Sequence, residues 1–214
     1  ARTGAGKTAA YCLPLLQRHL QPGARRCTLI LLPTRELAQQ VGDTLWQLSA
    51  HLKRPKIVVA YGGVSINPQL LALRGGADFI VATPGRLLDL IANNAVPLGD
   101  IGTLVLDEAD RLLALGFADE LGRILTLLPA QRQTLLFSAT FAANVQKLAA
   151  SLLRNPQRIA IADEAAPAIT QRAIDINAAD RRAVLLTLLH SGNWPQALVF
   201  VNSKHDAAEL AQWL

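Results

Sequence analysis

Short runs of aliphatic residues recur along the chain, and most are followed by a stretch with helical spacing. The strands that this pattern predicts lie at residues 28–32, 57–60, 79–82, 103–106, 134–137 and 159–161. The helices that it predicts among them lie at residues 35–52, 85–93 and 118–128. Continuous apolar runs that alternate with helices indicate βαβ units. We therefore expect an α/β fold, with a buried parallel sheet and helices on both of its faces.

The alternation breaks at residues 162–171, which contain a proline and no helical periodicity and are typical of a linker. It then restarts, with strands predicted at 173–176 and 197–201 and helices at 181–190 and 204–214. We expect a first domain at residues 1–162 that lacks its N-terminal segment, a linker at 163–171, and the truncated beginning of a second domain at 172–214. The chain contains no methionine and is interpreted as a piece of a longer protein.

Composition narrows the class of protein. Hydrophobic residues make up 51% of the chain and charged residues 17%, which supports a large core and argues against disorder. The net charge of +5 lies entirely within residues 1–165, and it suits either a polyanionic partner or ordinary solubility. Cys12 and Cys27 have no Cys or His at ligand spacing, so we expect reduced, buried thiols in a cytoplasmic protein. No signal peptide or apolar run of membrane length is visible, so we expect no membrane partner.

The first candidate site is the glycine-rich segment ARTGAGKT at residues 1–8, which precedes good helix formers. Its end fits the phosphate-loop pattern G-x-x-x-x-G-K-[ST], although Ala1 occupies the first glycine position. In such a loop, backbone N–H groups surround phosphates, the lysine reaches the terminal phosphates and the hydroxyl binds Mg²⁺. A glycine-rich turn before a helix is the simpler alternative. The candidate phosphate ligands are Thr3, Gly4, Ala5, Gly6, Lys7 and Thr8.

Two carboxylates, Asp107 and Glu108, directly follow the predicted strand at residues 103–106. A carboxylate at the carboxyl end of a buried parallel strand faces the ligand crevice of an open sheet. Asp107 is then placed to hold Mg²⁺ opposite Thr8, and Glu108 to orient or deprotonate an attacking water. An acidic helix N-terminus is the alternative. Because a phosphate loop stands in the same chain, we favour Lys7, Asp107 and Glu108 as catalytic residues.

The tetrapeptide Asp-Glu-Ala-Asp at residues 107–110 resembles the signature of the DEAD-box RNA helicases, and other blocks of that family are present in order. They read PTRELA at 33–38, GG at 62–63, TPGR at 83–86, SAT at 138–140 and LVFVNSK at 198–204. The resemblance covers essentially the whole chain, and its details are most similar to the bacterial RhlE-like branch. It implies two RecA-like domains of the P-loop class, ATP and Mg²⁺ as cofactors, and ATP-driven remodelling of single-stranded RNA or short RNA duplexes.

The resemblance also implies where RNA binds. The candidate RNA ligands are Pro33, Thr34, Arg35, Glu36, Gly63, Thr83, Pro84, Gly85 and Arg86. Thr34 is a good N-cap, and Pro84 stands near a first helical position, so helix N–H groups and nearby arginines would meet phosphates without reading sequence. Capped helix starts, and a local ion pair between Arg35 and Glu36, are the simpler alternatives.

The SAT block, Ser138, Ala139 and Thr140, is similar to the element of the family that couples the nucleotide site to domain closure, and Asp110 is its expected partner. We expect Asp110 to pair with the two hydroxyls, and the alternative is a Ser/Thr turn that caps the next helix.

Ala5 departs from the Ser or Thr that is usual in the family. The adenine-recognition segment of the family would precede Ala1 and its arginine fingers would follow Leu214, so adenine specificity rests on the resemblance alone.

Two other functions stay open. The chain could belong to another P-loop motor, such as a DNA helicase or translocase, which PTRELA and Ala109-Asp110 disfavour. It could also be a non-enzymatic RNA-binding module with a relic nucleotide site, which the intact Lys7, Thr8, Asp107 and Glu108 disfavour. A comparison of ATP hydrolysis stimulated by RNA with that stimulated by DNA tests the first alternative, and a measurement of nucleotide binding tests the second.

Overall fold

The computed structural model describes residues 6–21, 27–53, 55–96, 98–160 and 169–214. The chain divides into two compact units, Ala1–Asp163 and Glu164–Leu214. The strands of the first unit are Cys27–Leu31 (β1), Ile57–Ala60 (β2), Phe79–Ala82 (β3), Ile101–Leu106 (β4) and Gln133–Leu136 (β5). They form one sheet in the order β2-β3-β1-β4-β5, and every neighbouring pair is parallel. The predicted parallel sheet is confirmed.

Helices cover both faces of this sheet. They are Lys7–His19 (α1), Arg35–Leu48 (α2), Asn67–Leu73 (α3), Pro84–Ala92 (α4), Ala109–Ala114 (α5), Ala118–Leu127 (α6) and Ala143–Leu152 (α7). Side chains of β1 alternate between two cores: Leu29 packs with residues of α3 to α6, and Ile30 packs with residues of α1 and α2. Every residue of β1 and β4 is buried, as expected for central strands that are covered on both sides.

The helix starts follow the local sequence. The Thr34 hydroxyl accepts a hydrogen bond from the Leu37 N–H at 3.3 Å, which confirms the predicted N-cap of α2. Pro84 occupies the start of α4, where its missing N–H costs nothing.

Among the residues that the structure describes, no helix combines the length and apolar character needed to cross a bilayer.

The second unit contains the two predicted helices, now Arg181–Ser191 (α8) and Lys204–Trp213 (α9). The strands predicted at 173–176 and 197–201 are wrong, because neither segment is a strand. A strand exists only through hydrogen bonds to a neighbour, and Leu198 and Phe200 are instead 80% and 86% exposed. The strand predicted at 159–161 is also wrong for Ile159 and Ala160, which are exposed and unpaired, and residue 161 lies outside the described residues.

Candidate functional site

The sheet brings the sequence motifs to one edge. Backbone hydrogen bonds of the parallel ladders continue past the strand ends, since the Asp107 N–H donates to the Leu31 carbonyl at 3.0 Å and the Thr83 N–H to the Ala60 carbonyl at 3.0 Å. Pro33, Thr83 and Asp107 therefore follow the carboxyl ends of neighbouring strands. This is the edge at which open α/β sheets bind ligands.

Asp107 lies buried at the end of β4, only 4% exposed. Its Oδ2 accepts a hydrogen bond from the Tyr11 hydroxyl of α1 at 2.9 Å, and its Oδ1 accepts one from the Glu108 N–H at 2.9 Å. Burial raises the pKa of Asp107, and these two hydrogen bonds and the charge of Lys7 offset the rise only in part. The carboxylate is therefore held in one orientation beside the first turn of α1.

Glu108 adopts a left-handed backbone conformation, with φ 50° and ψ 50°, at the junction of β4 and α5. Its side chain is 13% exposed, and its Oε2 accepts a hydrogen bond from Arg111 Nη1 at 3.0 Å. The following N–H, that of Ala109, donates to the Phe137 carbonyl at 3.0 Å. A non-glycine residue in this conformation costs about 1–2 kcal/mol and persists only where its surroundings hold it, which is common at functional sites.

The end of the candidate phosphate loop is described from Gly6 onward, whereas Thr3, Gly4 and Ala5 lie outside the described residues. Gly6 has a φ of 74°, a conformation that favours glycine, and α1 begins at the next residue. The first turn of α1 carries Lys7 and Thr8, both half-buried. Burial and the Asp107 charge raise the pKa of Tyr11 far above its usual range, while a hydrogen bond with Thr8 lowers it slightly. Tyr11 therefore contacts both Thr8 and Asp107, and Lys7 lies close enough to Asp107 for its charge to act on that carboxylate.

The oxygens of Asp107 and Thr8 fit Mg²⁺, the metal that the sequence resemblance implies. A carboxylate and a hydroxyl are the hard oxygen donors that Mg²⁺ prefers. Within the described ranges, no group of three or more His, Cys, Asp or Glu residues could hold a metal ion. Mg²⁺ usually binds through one or two carboxylates, with phosphate oxygens and water completing its shell.

The candidate coupling element lies next to α5. Asp110 Oδ2 accepts hydrogen bonds from the Thr140 hydroxyl at 2.9 Å and from the Thr140 N–H at 3.0 Å. The Ser138 hydroxyl donates to the Thr140 carbonyl at 2.6 Å. Burial alone would raise the pKa of Asp110, but the hydrogen bonds from Thr140 and Ser138 outweigh it and lower the pKa. The expected contact of Asp110 with Thr140 is present, and the role of Asp110, Ser138, Ala139 and Thr140 in coupling stays a prediction.

The candidate RNA ligands differ in accessibility. Arg35, Glu36 and Gly63 are exposed, whereas Thr34, Thr83 and Gly85 are half-buried and Pro33, Pro84 and Arg86 are buried. Arg35 Nε donates to Glu36 Oε1 at 2.5 Å, so the local ion pair proposed as an alternative exists. Arg35 Nη1 also lies 3.8 Å from the position that a Cβ on Gly63 would take. Arg35 and Gly63 therefore form one exposed surface.

Arg86 does not lie on that surface. Only 8% of its side chain is exposed, and Nη2 donates to the Val64 carbonyl at 2.8 Å. Nε lies 3.5 Å from Asp89 Oδ2. The predicted contact of Arg86 with RNA is untested by this geometry, which shows the guanidinium turned toward the protein.

Sequence reasoning missed three residues at this edge: Tyr11, Gln69 and Arg111. Tyr11 had a usable signal, since it stands four positions after Lys7 in a helix and such residues share a face. Arg111 also had one, since it stands three positions after Glu108. Gln69 gave no signal, because its partner, the Tyr61 carbonyl, is identified only by the folded backbone.

Comparison with known proteins gives a family. The family model described as DEAD/DEAH box helicase matches residues 1–148. The ATP-dependent RNA helicase DeaD of Escherichia coli is 37% identical over 217 residues, covering 100% of this chain and 34% of that protein. The DEAD-box ATP-dependent RNA helicase RhpA of Helicobacter pylori is 38% identical, covering 100% of this chain and 44% of that protein. The chain thus spans less than half the length of these relatives, and the narrower likeness to the RhlE-like branch stays a prediction.

Solved structures of DEAD-box proteins have the same fold as this chain. The yeast DEAD-box splicing factor Prp28 has a TM-score of 0.69 at 32% identity, covering 100% of this chain and 52% of that chain. A DEAD box protein from Methanococcus jannaschii has a TM-score of 0.70 at 36% identity, covering 100% of this chain and 57% of that chain. These likenesses confirm the RecA-like fold. The chain therefore belongs to the DEAD/DEAH box helicase family.

Proposed function

We propose that the protein is an ATP-dependent RNA helicase that uses ATP hydrolysis to remodel or unwind short RNA duplexes. The observation that carries this proposal is the pair of contacts made by the Asp-Glu-Ala-Asp block. Asp107 bonds to Tyr11 of α1, beside the candidate phosphate loop, and Asp110 bonds to Thr140 after β5. One short segment thus connects the candidate nucleotide site to a second element. Both relatives named above carry the description ATP-dependent RNA helicase.

In this proposal the phosphates of ATP bind at residues 3–8, where Gly6 leaves room for close backbone approach and Lys7 reaches the terminal phosphates. Asp107 and Thr8 would hold Mg²⁺, which when bound would neutralise charge on the phosphate oxygens. Tyr11 keeps Asp107 in the orientation needed for this, since partners of metal-binding carboxylates fix their geometry.

Glu108 is proposed to orient or deprotonate the water that attacks the terminal phosphate. Its side chain is largely shielded from solvent, and the hydrogen bond from Arg111 restricts its rotation. The left-handed backbone at Glu108 supports the same role, because a strained residue at a strand end is held there by its surroundings.

RNA is proposed to bind through its sugar–phosphate backbone at residues 33–36, Gly63 and residues 83–85, whereas the side chain of Arg86 is turned toward the protein. The helix N-termini of α2 and α4 supply N–H groups, and Arg35 supplies an exposed charge. Contacts of this kind neutralise phosphates without reading bases, so binding would be independent of sequence.

We further infer the domain organisation: residues 1–162 form the first RecA-like domain, 163–171 a linker and 172–214 the beginning of a second RecA-like domain. Closure of two such domains over ATP and RNA would bend one strand of a duplex. A bacterial, cytoplasmic protein is our inference as well, supported by the bacterial relatives and by the free thiols of Cys12 and Cys27.

The test is Glu108→Gln in the full-length protein. We expect RNA-stimulated ATP hydrolysis to fall by about 10²–10⁴, the usual contribution of a general base, while ATP·Mg²⁺ affinity stays unchanged. Glu120→Gln on α6 is the matched control and should hydrolyse ATP like the wild type. Wild-type turnover in Glu108→Gln would remove Glu108 from the chemistry, and absence of nucleotide binding by the wild type would favour the RNA-binding module.

A further inference from the structure

The loop that follows β2, residues 61–64, is held at both ends by buried polar side chains. We call these residues the glycine loop, since Gly62 and Gly63 lie at its centre. Gln69 Nε2 of α3 donates to the Tyr61 carbonyl at 3.2 Å, and Arg86 Nη2 of α4 donates to the Val64 carbonyl at 2.8 Å. The two donors come from different helices, so the shape of the loop depends on both.

Both side chains are buried, and each has polar atoms without a hydrogen-bond partner. Gln69 is 8% exposed and Arg86 is 9% exposed. Within the described residues, Gln69 Oε1 and Arg86 Nη1 have no hydrogen-bond partner although they are shielded from solvent, and Arg86 Nε has only the 3.5 Å ion pair with Asp89. Burial of a guanidinium and an amide with partial pairing destabilises a fold, so packing alone does not account for either residue.

The central residues of the glycine loop lie next to the candidate RNA surface. Gly63 has a φ of 81°, a left-handed conformation that other residues rarely adopt. Gly63 is exposed, and Arg35 Nη1 approaches it as described above. A loop fixed in this conformation keeps its exposed backbone beside the Arg35 guanidinium.

We propose that Gln69 and Arg86 are positioning residues that hold the glycine loop in the shape in which Gly63 and Arg35 contact RNA phosphates. The proposal rests on the proposed function and deepens it. Arg86 acts through the Val64 carbonyl and does not touch RNA. Gln69, which has no charge to offer a phosphate, acts in the same way through the Tyr61 carbonyl.

The test measures RNA affinity of the full-length protein over about 50–200 mM salt for Arg86→Met and Gln69→Met, which remove the donors but keep side-chain length. We expect each to weaken RNA binding by about 5- to 30-fold, the effect of one lost hydrogen bond. The slope of log affinity against log salt should stay that of the wild type, because no cation leaves a phosphate. Arg123→Met on α6, where Arg123 is exposed, is the control for loss of one charge and should bind like the wild type.

If Arg86 instead contacted an RNA phosphate directly, Arg86→Met would lower the slope of log affinity against log salt by about one, and Gln69→Met would bind RNA like the wild type. That result would overturn the positioning proposal. A double-mutant cycle of Gln69→Met with Gly63→Ala adds a second readout, since residues that act through one loop are non-additive and independent residues are additive. ATP·Mg²⁺ affinity and thermal midpoint show that each variant is folded. If the wild type binds no RNA the proposed function itself fails, whereas wild-type affinity in both variants defeats only the positioning proposal.

Discussion

At the scale of single residues, the two aspartates of the Asp-Glu-Ala-Asp block have opposite electrostatic surroundings. Burial raises the pKa of Asp107, whereas the hydrogen bonds from Thr140 and Ser138 lower that of Asp110 despite its partial burial. The stabilising contribution of Asp110 is therefore present above its unfolded pKa and lost as pH falls through the folded value. For Asp107 the sign is reversed: its contribution is present below the unfolded pKa and lost as pH rises through the raised folded value.

Asp107→Asn should consequently stabilise the protein at neutral pH when nucleotide is absent. The variant removes a buried charge, and we expect a gain of about 0.5–2 kcal/mol in the free energy of unfolding. The advantage should shrink as pH falls through the raised folded pKa of Asp107, because the wild-type carboxyl is then protonated in the folded state. Denaturant unfolding at several pH values measures both effects.

Asp119→Asn, on the exposed surface of α6, is the control for this substitution and should change stability little. The same Asp107→Asn protein should lose Mg²⁺-dependent ATP binding, which calorimetry measures. A variant that is less stable than the wild type at neutral pH would show that the Tyr11 hydrogen bond outweighs the cost of burial.

At the scale of elements, the contact of α2 with β2 depends on a glycine. A Cβ on Gly42 of α2 would overlap the Val59 side chain of β2, and this close approach seats the helix that carries Arg35 at its start. Helical glycine is otherwise unfavourable, so Gly42 is explained by packing. The position of the candidate RNA surface therefore depends on how closely α2 lies against the sheet.

Gly42→Ala should destabilise the protein by about 1–3 kcal/mol, the usual effect of an extra methyl group in a packed interface. Gly122→Ala on α6 is the matched control, since a Cβ there meets nothing within 4 Å. It should stabilise by up to about 1 kcal/mol through helix propensity. Thermal unfolding of the two variants measures the difference between their stabilities. Equal effects of the two substitutions on stability would contradict the close packing of α2 against β2.

The sequence predicted the elements whose burial leaves a clear pattern. All strands of the sheet were recognised because a strand covered on both faces reads as a continuous apolar run. The helix α3, of seven residues, is too short to show a period and was missed, and no range was predicted for α5 or for the ten-residue α7. The strands expected in the second unit failed because an apolar run forms a strand only where a neighbouring strand accepts its hydrogen bonds.

Some features of the candidate site could likewise be predicted from the sequence, and others could not. Residues whose chemistry is local were predictable, as with the Thr34 cap and the contact of Asp110 with Thr140. The left-handed conformation of Glu108 and the burial of Arg86 were not, because both depend on where distant backbone lies in the fold.

At the scale of the whole molecule, the Asp-Glu-Ala-Asp block links the candidate nucleotide site to residues after β5. Thr140→Val removes the 2.9 Å hydroxyl contact with Asp110 while leaving the Thr140 N–H contact in place. If this contact couples the sites, ATP-dependent strand separation should fall by about 5-fold or more while ATP·Mg²⁺ affinity is unchanged.

Parallel assays of hydrolysis and strand separation in the full-length protein measure this coupling. Thr126→Val is the matched control, since its hydroxyl makes only a local contact with the Arg123 carbonyl. A proportional fall of hydrolysis and separation would mean that Thr140 serves the chemistry and not the coupling.

The most direct measurement is strand separation of a short RNA duplex by the full-length protein, with an all-DNA duplex of the same sequence beside it. We expect separation of the RNA duplex only with ATP and Mg²⁺, no separation of the DNA duplex, and loss of activity in Lys7→Ala because the terminal phosphates lose their cation. RNA duplexes of unrelated sequence but equal stability should separate at similar rates, since the proposed contacts are to phosphates. Separation of the DNA duplex at the same rate, or no ATP-dependent separation of RNA, would contradict an RNA helicase.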